Sequence, residues 1–160
     1  MRFVYAFVII AVASFLFVFL WSTGLRYMVH ELGHSAVCNL FMHGKVRIIE
    51  TADGYKTICR TTSRFSSFFP LFALGGILAE LIFSLILIFI KPVSFMGGIS
   101  FLFMSSGFFF KNYAFDLNQV NMVWLCSFPF SIVIYSVGVV VLVISYLVSF
   151  RSWLEMTENQ

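Results

Sequence analysis

Residues 25–42 read LRYMVHELGHSAVCNLFM, an apolar stretch of helical length that is interrupted near its middle by His30, Glu31 and His34. Ionisable side chains are costly in a membrane helix and are retained there chiefly where they form a functional site. Histidines four residues apart lie on one face of a helix, and the glutamate of an H-E-x-x-H sequence can reach the same point. The stretch therefore predicts a membrane helix that carries a chemical site.

The composition of the whole chain favours the same environment. Of its 160 residues, 61% are hydrophobic and 11% are charged, whereas about 25% of residues are charged in an ordinary soluble domain. The mean hydropathy is +0.98, and a formal net charge of +3 is too small a basic excess to indicate nucleic-acid binding. These values exclude a soluble globular domain and predict a protein that resides in a lipid bilayer.

Five apolar segments can be marked along the chain. They cover residues 3–21, 25–42, 68–90, 95–110 and about 123–150. Each is close to the roughly 20 residues that a spanning helix needs, and the first lacks the cleavage site of a secretory signal, so we expect it to remain as a helix. The predicted fold is an all-α, multi-pass integral membrane protein of about five transmembrane helices, organised as a single domain over residues 1–160.

The loop between the second and third segments has a different composition. In residues 43–66, apolar and polar residues partly alternate on both sides of an Asp53-Gly54 turn, which predicts a β-hairpin. Its basic residues are Lys45, Arg47, Lys56, Arg60 and Arg64, and its acidic residues are Glu50 and Asp53. The positive-inside rule predicts that this loop lies in the cytosol, and with five spans the N-terminus lies there too. The basic residues left on the opposite side are Arg26, Lys91 and Arg151.

The three cysteines, Cys38, Cys59 and Cys126, are odd in number and widely separated. Their spacing matches neither a disulfide framework nor a paired-cysteine zinc site. We expect all three to be reduced, with Cys38 serving in helix packing.

The residues His30, Glu31 and His34 predict a zinc site. Two imidazoles on one helix face suit Zn²⁺, and the glutamate is placed to act as a general base toward water, which indicates peptide hydrolysis. A catalytic zinc site needs a third protein ligand. Asp116, just beyond the fourth segment, is the favoured ligand, and Glu80, within the third segment, is the alternative.

These motifs and their order resemble the site-2 protease family of intramembrane zinc metalloproteases, over roughly residues 28–121. After the motif at 30–34 come a strand at 44–47, a Gly-rich segment at 75–80 and then Asp116, as in compact members of that family. The resemblance implies that the hairpin helps to hold an unwound substrate.

The resemblance also implies roles for individual residues. The zinc ligands it implies are His30, His34 and Asp116. Glu31 is then the general base. Glu80 stands where the family commonly has an asparagine, and Glu80 and Asn112 are candidate substrate-binding residues.

The predicted function is a zinc-dependent intramembrane endopeptidase that hydrolyses peptide bonds in or near transmembrane segments of membrane proteins, single-span ones in particular. An extended substrate would add to an open edge of the hairpin, and a fragment would leave toward the cytosol. The alternatives are a non-proteolytic zinc-binding regulatory or partner-binding membrane protein, a secondary transporter, and a membrane zinc peptidase with Glu80 as third ligand. The expected partners are the substrate and the lipid bilayer, and nucleic acid is not among them.

Overall fold

The computed structural model describes residues 2–51, 54–61 and 67–158. Its helices are α1 (Arg2–Leu20), α2 (Arg26–Leu40), α3 (Phe69–Phe89), α4 (Ser94–Phe109), α5 (Ala114–Asn118) and α6 (Phe128–Glu158). Its strands are β1 (Lys45–Thr51) and β2 (Gly54–Arg60), and short 3₁₀ turns cover Lys91–Val93 and Val123–Cys126. The described part of the protein is therefore mostly helical with one small sheet, as the sequence predicts.

Four stretches of the described chain are long and apolar enough to cross a membrane. They are Phe3–Leu40, Phe69–Phe89, Lys91–Phe109 and Phe128–Glu158. Each has at least about the 20 residues, or 30 Å of helix, that the hydrocarbon core requires. The structure is thus consistent with an integral membrane protein, but with four candidate spans where the sequence predicts five.

The difference lies at the junction of the first two predicted spans. At Trp21–Leu25 helices α1 and α2 join end to end across a kink, where Gly24 departs from helical backbone angles, with φ at 161°. The predicted spans 3–21 and 25–42 are therefore one continuous stretch with a kink at Gly24. The prediction of two separate spans was wrong because a glycine inside an apolar run can bend a helix as well as end it.

Helix α1 packs against the C-terminal half of α6. The Tyr146 hydroxyl donates to Ser14 Oγ at 2.6 Å, and the rings of Phe3 and Phe150 pack edge to face with centroids 4.7 Å apart. These two contacts hold the N-terminal helix on the rest of the bundle.

The same contacts locate the N-terminal end of α1. Ser149, which neighbours Phe150, donates to the backbone oxygen of Lys91 at 3.1 Å, so Phe3 lies where α3 passes into α4. The hairpin precedes the other end of α3, a helix of 21 residues and hence about 30 Å long. Phe3 and the hairpin therefore lie toward opposite ends of α3, and the side of the membrane that each of them occupies stays a prediction.

Helices α2 and α3 approach each other closely because their facing residues are small. A Cβ added to Gly33 would lie 2.1 Å from the backbone oxygen of Gly75 and 2.6 Å from the Cβ of Ala79. Small residues at a membrane-helix interface permit such close backbone contact. The crossing brings the histidine motif of α2 against the Gly-rich segment of α3.

Strands β1 and β2 pair antiparallel along their lengths, which confirms the predicted hairpin. The Thr57 hydroxyl of β2 donates to the backbone oxygen of Glu31 at 3.2 Å, so the sheet packs on α2. The predicted turn residue Asp53 and the loop residue Arg64 lie outside the described residues.

Cys38 and Cys59 form a disulfide, which contradicts the prediction that all three cysteines are reduced. The bond joins the last turns of α2 to β2 across 21 residues, with Cα atoms 5.8 Å apart. A Cβ on Gly44 would lie 2.7 Å from both sulfur atoms, so this glycine leaves room for the bond. Spacing along the chain does not reveal the pair, because the reversal at residues 41–44 is what returns β2 to α2.

Counting thiols in the denatured protein tests this disulfide. We expect one reactive thiol, that of Cys126, before reduction and three after it. Cys59→Ser should loosen β2 from α2, because loss of a native disulfide typically lowers the free energy of unfolding by about 2–4 kcal/mol. Three reactive thiols in the unreduced protein would contradict the pairing.

Candidate metal centre

A cavity of about 830 Å³ opens between α2, β2, α3 and residues 112–119. All of the site residues predicted from the sequence line it, namely His30, Glu31, His34, Glu80, Asn112 and Asp116. Segments that are distant in sequence thus bring the predicted residues around one space.

Three potential ligand atoms converge within this cavity. The Nε2 atoms of His30 and His34 are 3.2 Å apart, and Asp116 Oδ2 lies 3.1 Å from the first and 3.8 Å from the second. A point about 2 Å from all three atoms lies inside this triangle, which matches the roughly 2.0–2.2 Å that zinc keeps from imidazole nitrogen and carboxylate oxygen. The spacing of these donors therefore fits a metal ion.

Glu31 borders the same two imidazoles. One ligand atom from each of His30, Glu31 and His34 lies within 4.8 Å of the others, so this group could hold a metal ion. Glu31 Oε2 is buried and has no hydrogen-bond partner among the described residues. Because a buried polar atom without a partner is unfavourable, this oxygen is a second indication that the cavity receives a ligand or water.

The outer nitrogen of each imidazole faces a hydrogen-bond acceptor. His34 Nδ1 donates to the backbone oxygen of Phe72 at 2.7 Å, and His30 Nδ1 donates to Glu80 Oε1 at 2.8 Å. Since both partners are acceptors, they suit the tautomer with the proton on Nδ1, which would leave both Nε2 atoms available to a metal ion. Partners of this kind orient histidine ligands in metal sites.

Glu80 is 1% exposed and both of its carboxylate oxygens are engaged. Oε1 accepts from His30, and Oε2 accepts from Arg26 Nε at 3.0 Å and from the Tyr113 hydroxyl. Burial, together with the charge of Glu80, raises the pKa of Tyr113 well above its usual range, so the phenol keeps the proton that it donates. Glu80 therefore lies on the Nδ1 side of the His30 ring, away from Nε2.

Two residues of this arrangement were missed by sequence reasoning. Arg26, counted as a basic residue beyond the membrane, is largely buried and forms an ion pair with Glu80. A cation inside an apolar run indicates a nearby carboxylate, so this pair could have been predicted from the acid in the next span. Tyr113 is 2% exposed, and nothing in its sequence context distinguishes it from the other tyrosines of the chain.

Strand β2 and helix α5 both line the cavity. The Lys56 ammonium of β2 lies 5.2 Å from the centre of the Phe115 ring, a cation–π contact between the two elements. Asn112 lies in the cavity wall just before α5, and its role toward substrate stays a prediction.

Comparisons of the chain with protein-family models, with curated proteins and with solved structures find no match. Its function is therefore inferred from the chemistry of the site.

The third ligand can be tested by metal content at saturating zinc. We expect Asp116→Asn to lose bound zinc, because a neutral amide is a poorer ligand for a dication, and Glu80→Gln to retain it, because Glu80 contacts His30 only through Nδ1. Asn118→Ala, an exposed change on the same short helix, is the matched control. Loss of zinc in Glu80→Gln with retention in Asp116→Asn would reverse the assignment.

Proposed function

We propose that this protein is a zinc-dependent intramembrane endopeptidase. The observation that carries the proposal is the convergence of His30 Nε2, His34 Nε2 and Asp116 Oδ2 beside the unpartnered carboxylate oxygen of Glu31. Two imidazoles and one carboxylate, with room for a further ligand, form a donor set typical of catalytic zinc. The site lies among helices that are apolar enough to cross a membrane.

In this proposal His30, His34 and Asp116 hold the metal and Glu31 moves the proton. A bound zinc ion supplies Lewis acidity, which polarises a carbonyl group and makes water easier to deprotonate. Glu31 Oε2 accepts the proton of the attacking water and later delivers it to the departing amine nitrogen. The burial of this oxygen and its lack of a protein partner support that role, because nothing in the described structure competes for the proton.

The outer edge of β2 is the proposed binding surface for an extended substrate. Four consecutive residues of β2, 56–59, line the cavity. Alternate residues of a strand point to opposite faces, so the strand borders the cavity along its edge. Among the described residues, the backbone of β2 hydrogen-bonds to β1 and to no other element. A peptide could therefore add to this edge through main-chain hydrogen bonds.

This mode of binding suits a transmembrane segment as substrate. The peptide bonds of a membrane helix are shielded by their own hydrogen bonds, so the segment must unwind before it is hydrolysed. A strand edge replaces the lost hydrogen bonds and presents an extended chain to the site. Single-span membrane proteins are the proposed substrate class, because one helix can enter the cavity without dismantling a bundle.

The alternative is a non-proteolytic zinc-binding membrane protein that regulates or binds a partner. A structural zinc needs ligands that close its coordination shell but needs no general base. The unpartnered Glu31 oxygen favours the enzyme over this alternative.

The side of the membrane on which the site opens is proposed from charge. The described basic residues of the hairpin are Lys45, Arg47, Lys56 and Arg60, and this excess favours the cytosol. Disulfides such as the one between Cys38 and Cys59 are more typical of oxidising compartments. On the cytosolic side that the charge favours, this disulfide would belong to the class that responds to the redox state of the cell.

Glu31→Gln tests the proposed chemistry. The amide keeps the shape of the side chain but cannot accept the proton, so we expect zinc to stay bound while cleavage of a single-span substrate in liposomes falls by about 10²–10⁴-fold. His34→Ala should instead lose zinc and cleavage together. Undiminished proteolysis by Glu31→Gln would remove the enzyme proposal, and loss of zinc would make Glu31 a ligand.

Sidedness is tested by labelling single introduced cysteines in intact membranes with a membrane-impermeant maleimide. We expect Glu50→Cys, on the hairpin, to react only from the cytosolic side, and Lys91→Cys, at the far end of α3, only from the opposite side. The parent protein, whose third cysteine is buried, serves as the unlabelled control. The reverse pattern would place the site on the oxidising side.

A further inference from the structure

We propose that Tyr113 and Arg26 are positioning residues that couple the segment carrying Asp116 to the helix carrying His30. This inference rests on the proposed metal site and adds to it two residues that do not themselves hold the metal ion. They meet at Glu80, where the hydroxyl of Tyr113 and Nε of Arg26 both donate to Oε2.

The segment that carries Asp116 has little structure of its own to hold it. Helix α5 has only five residues, fewer than two turns, and Phe115, next to Asp116, is 66% exposed. Its buried anchors are Tyr113, 2% exposed, and Leu117, 1% exposed. Tyr113 and Asp116 both contact the imidazole of His30, so their side chains lie on the same side of this segment. The position of Asp116 therefore depends on what holds Tyr113.

Tyr113 is held by groups from two other helices. Its hydroxyl donates to Glu80 on α3 and accepts from Arg26 Nη2 on α2 at 2.8 Å. The guanidinium carbon of Arg26 also lies 5.4 Å from the centre of the Tyr113 ring. A Cβ on Gly107 would lie 2.5 Å from the ring and 2.8 Å from Arg26 Nη2, so the sequence leaves space for this contact.

Tyr113, Arg26 and Glu80 together form a hydrogen-bonded clamp. This clamp acts on His30 by two routes. The ring of Tyr113 stacks on the His30 imidazole, with planes 11° apart and centroids 5.8 Å apart. Glu80, fixed through Oε2 by Tyr113 and Arg26, accepts from His30 Nδ1 through Oε1. Both routes fix the orientation of the His30 ring and therefore the direction in which Nε2 points.

The role is positional because neither residue reaches the reacting atoms. Tyr113 and Arg26 bond to Glu80, which lies on the Nδ1 side of His30, whereas the proposed ligand atoms meet on the Nε2 side. Outer partners of this kind typically change metal affinity by about 10–100-fold when they are removed.

The test is the zinc affinity of the purified full-length protein in detergent, measured by competition with a chromophoric chelator. Tyr113→Phe keeps the stacked ring and removes only the hydroxyl, and we expect a 10–100-fold loss of affinity and an altered absorption spectrum of the Co²⁺-loaded protein. Tyr135→Phe, on α6 and outside the cavity, is the matched control and should match the wild type in both measurements.

A second variant separates positioning from a general loss of folding. Gly107→Ala keeps every hydrogen-bonding group but pushes a methyl group against Tyr113 and Arg26, and we expect a similar loss of affinity. The melting temperature of each zinc-free variant shows whether it folds like the wild type. Wild-type zinc affinity and Co²⁺ spectrum in Tyr113→Phe would overturn the clamp. Failure of the wild type itself to bind zinc would overturn the proposed metal site, so the two failures are distinguishable.

Discussion

The carboxylate of Glu80 is a buried charge among helices that are apolar enough to lie in a membrane, and such a charge must be paired. Removing one partner of a buried ion pair costs about 3–5 kcal/mol, because the other charge is then left without compensation. Glu80 receives hydrogen bonds from Arg26, His30 and Tyr113. These residues come from α2 and from the segment before α5, so satisfying one carboxylate brings together three parts of the chain that form the site.

This pairing is possible because α2 and α3 are very close. At Gly33 the two backbones approach so closely that a Cβ would overlap the Gly75 carbonyl. Packing between membrane helices gains little from the hydrophobic effect, so close backbone contact and interhelical hydrogen bonds must hold them together. The glycines thus provide the contact, and the Glu80 network provides specificity for one alignment of the helices. In that alignment the histidines of α2 face Asp116.

The features that sequence reasoning predicted correctly depend on local pattern. Apolar runs of helical length, the alternation around the hairpin and the four-residue spacing of His30 and His34 can all be read from neighbouring residues. What it missed depends on contacts between distant residues. Arg26 and Glu80 are 54 positions apart, and Cys38 finds Cys59 only because a turn reverses the chain. The continuity of the helix through Gly24 was missed for another reason, since a glycine is compatible with both a kink and a break.

Asp116 combines a feature that local pattern reveals with one that depends on contacts between distant residues. Its place beyond an apolar segment made it a candidate ligand, but the short α5 could not be anticipated, and neither could the clamp on Tyr113 that holds it near His30.

X-ray absorption at the zinc edge of the purified wild-type protein measures the donor atoms around a bound metal most directly. We expect about one equivalent of zinc with two imidazole nitrogens and further oxygen ligands at about 2.0–2.2 Å, and no sulfur. A shell containing sulfur at about 2.3 Å, or a protein that retains no zinc when purified in its presence, would contradict the proposed zinc site.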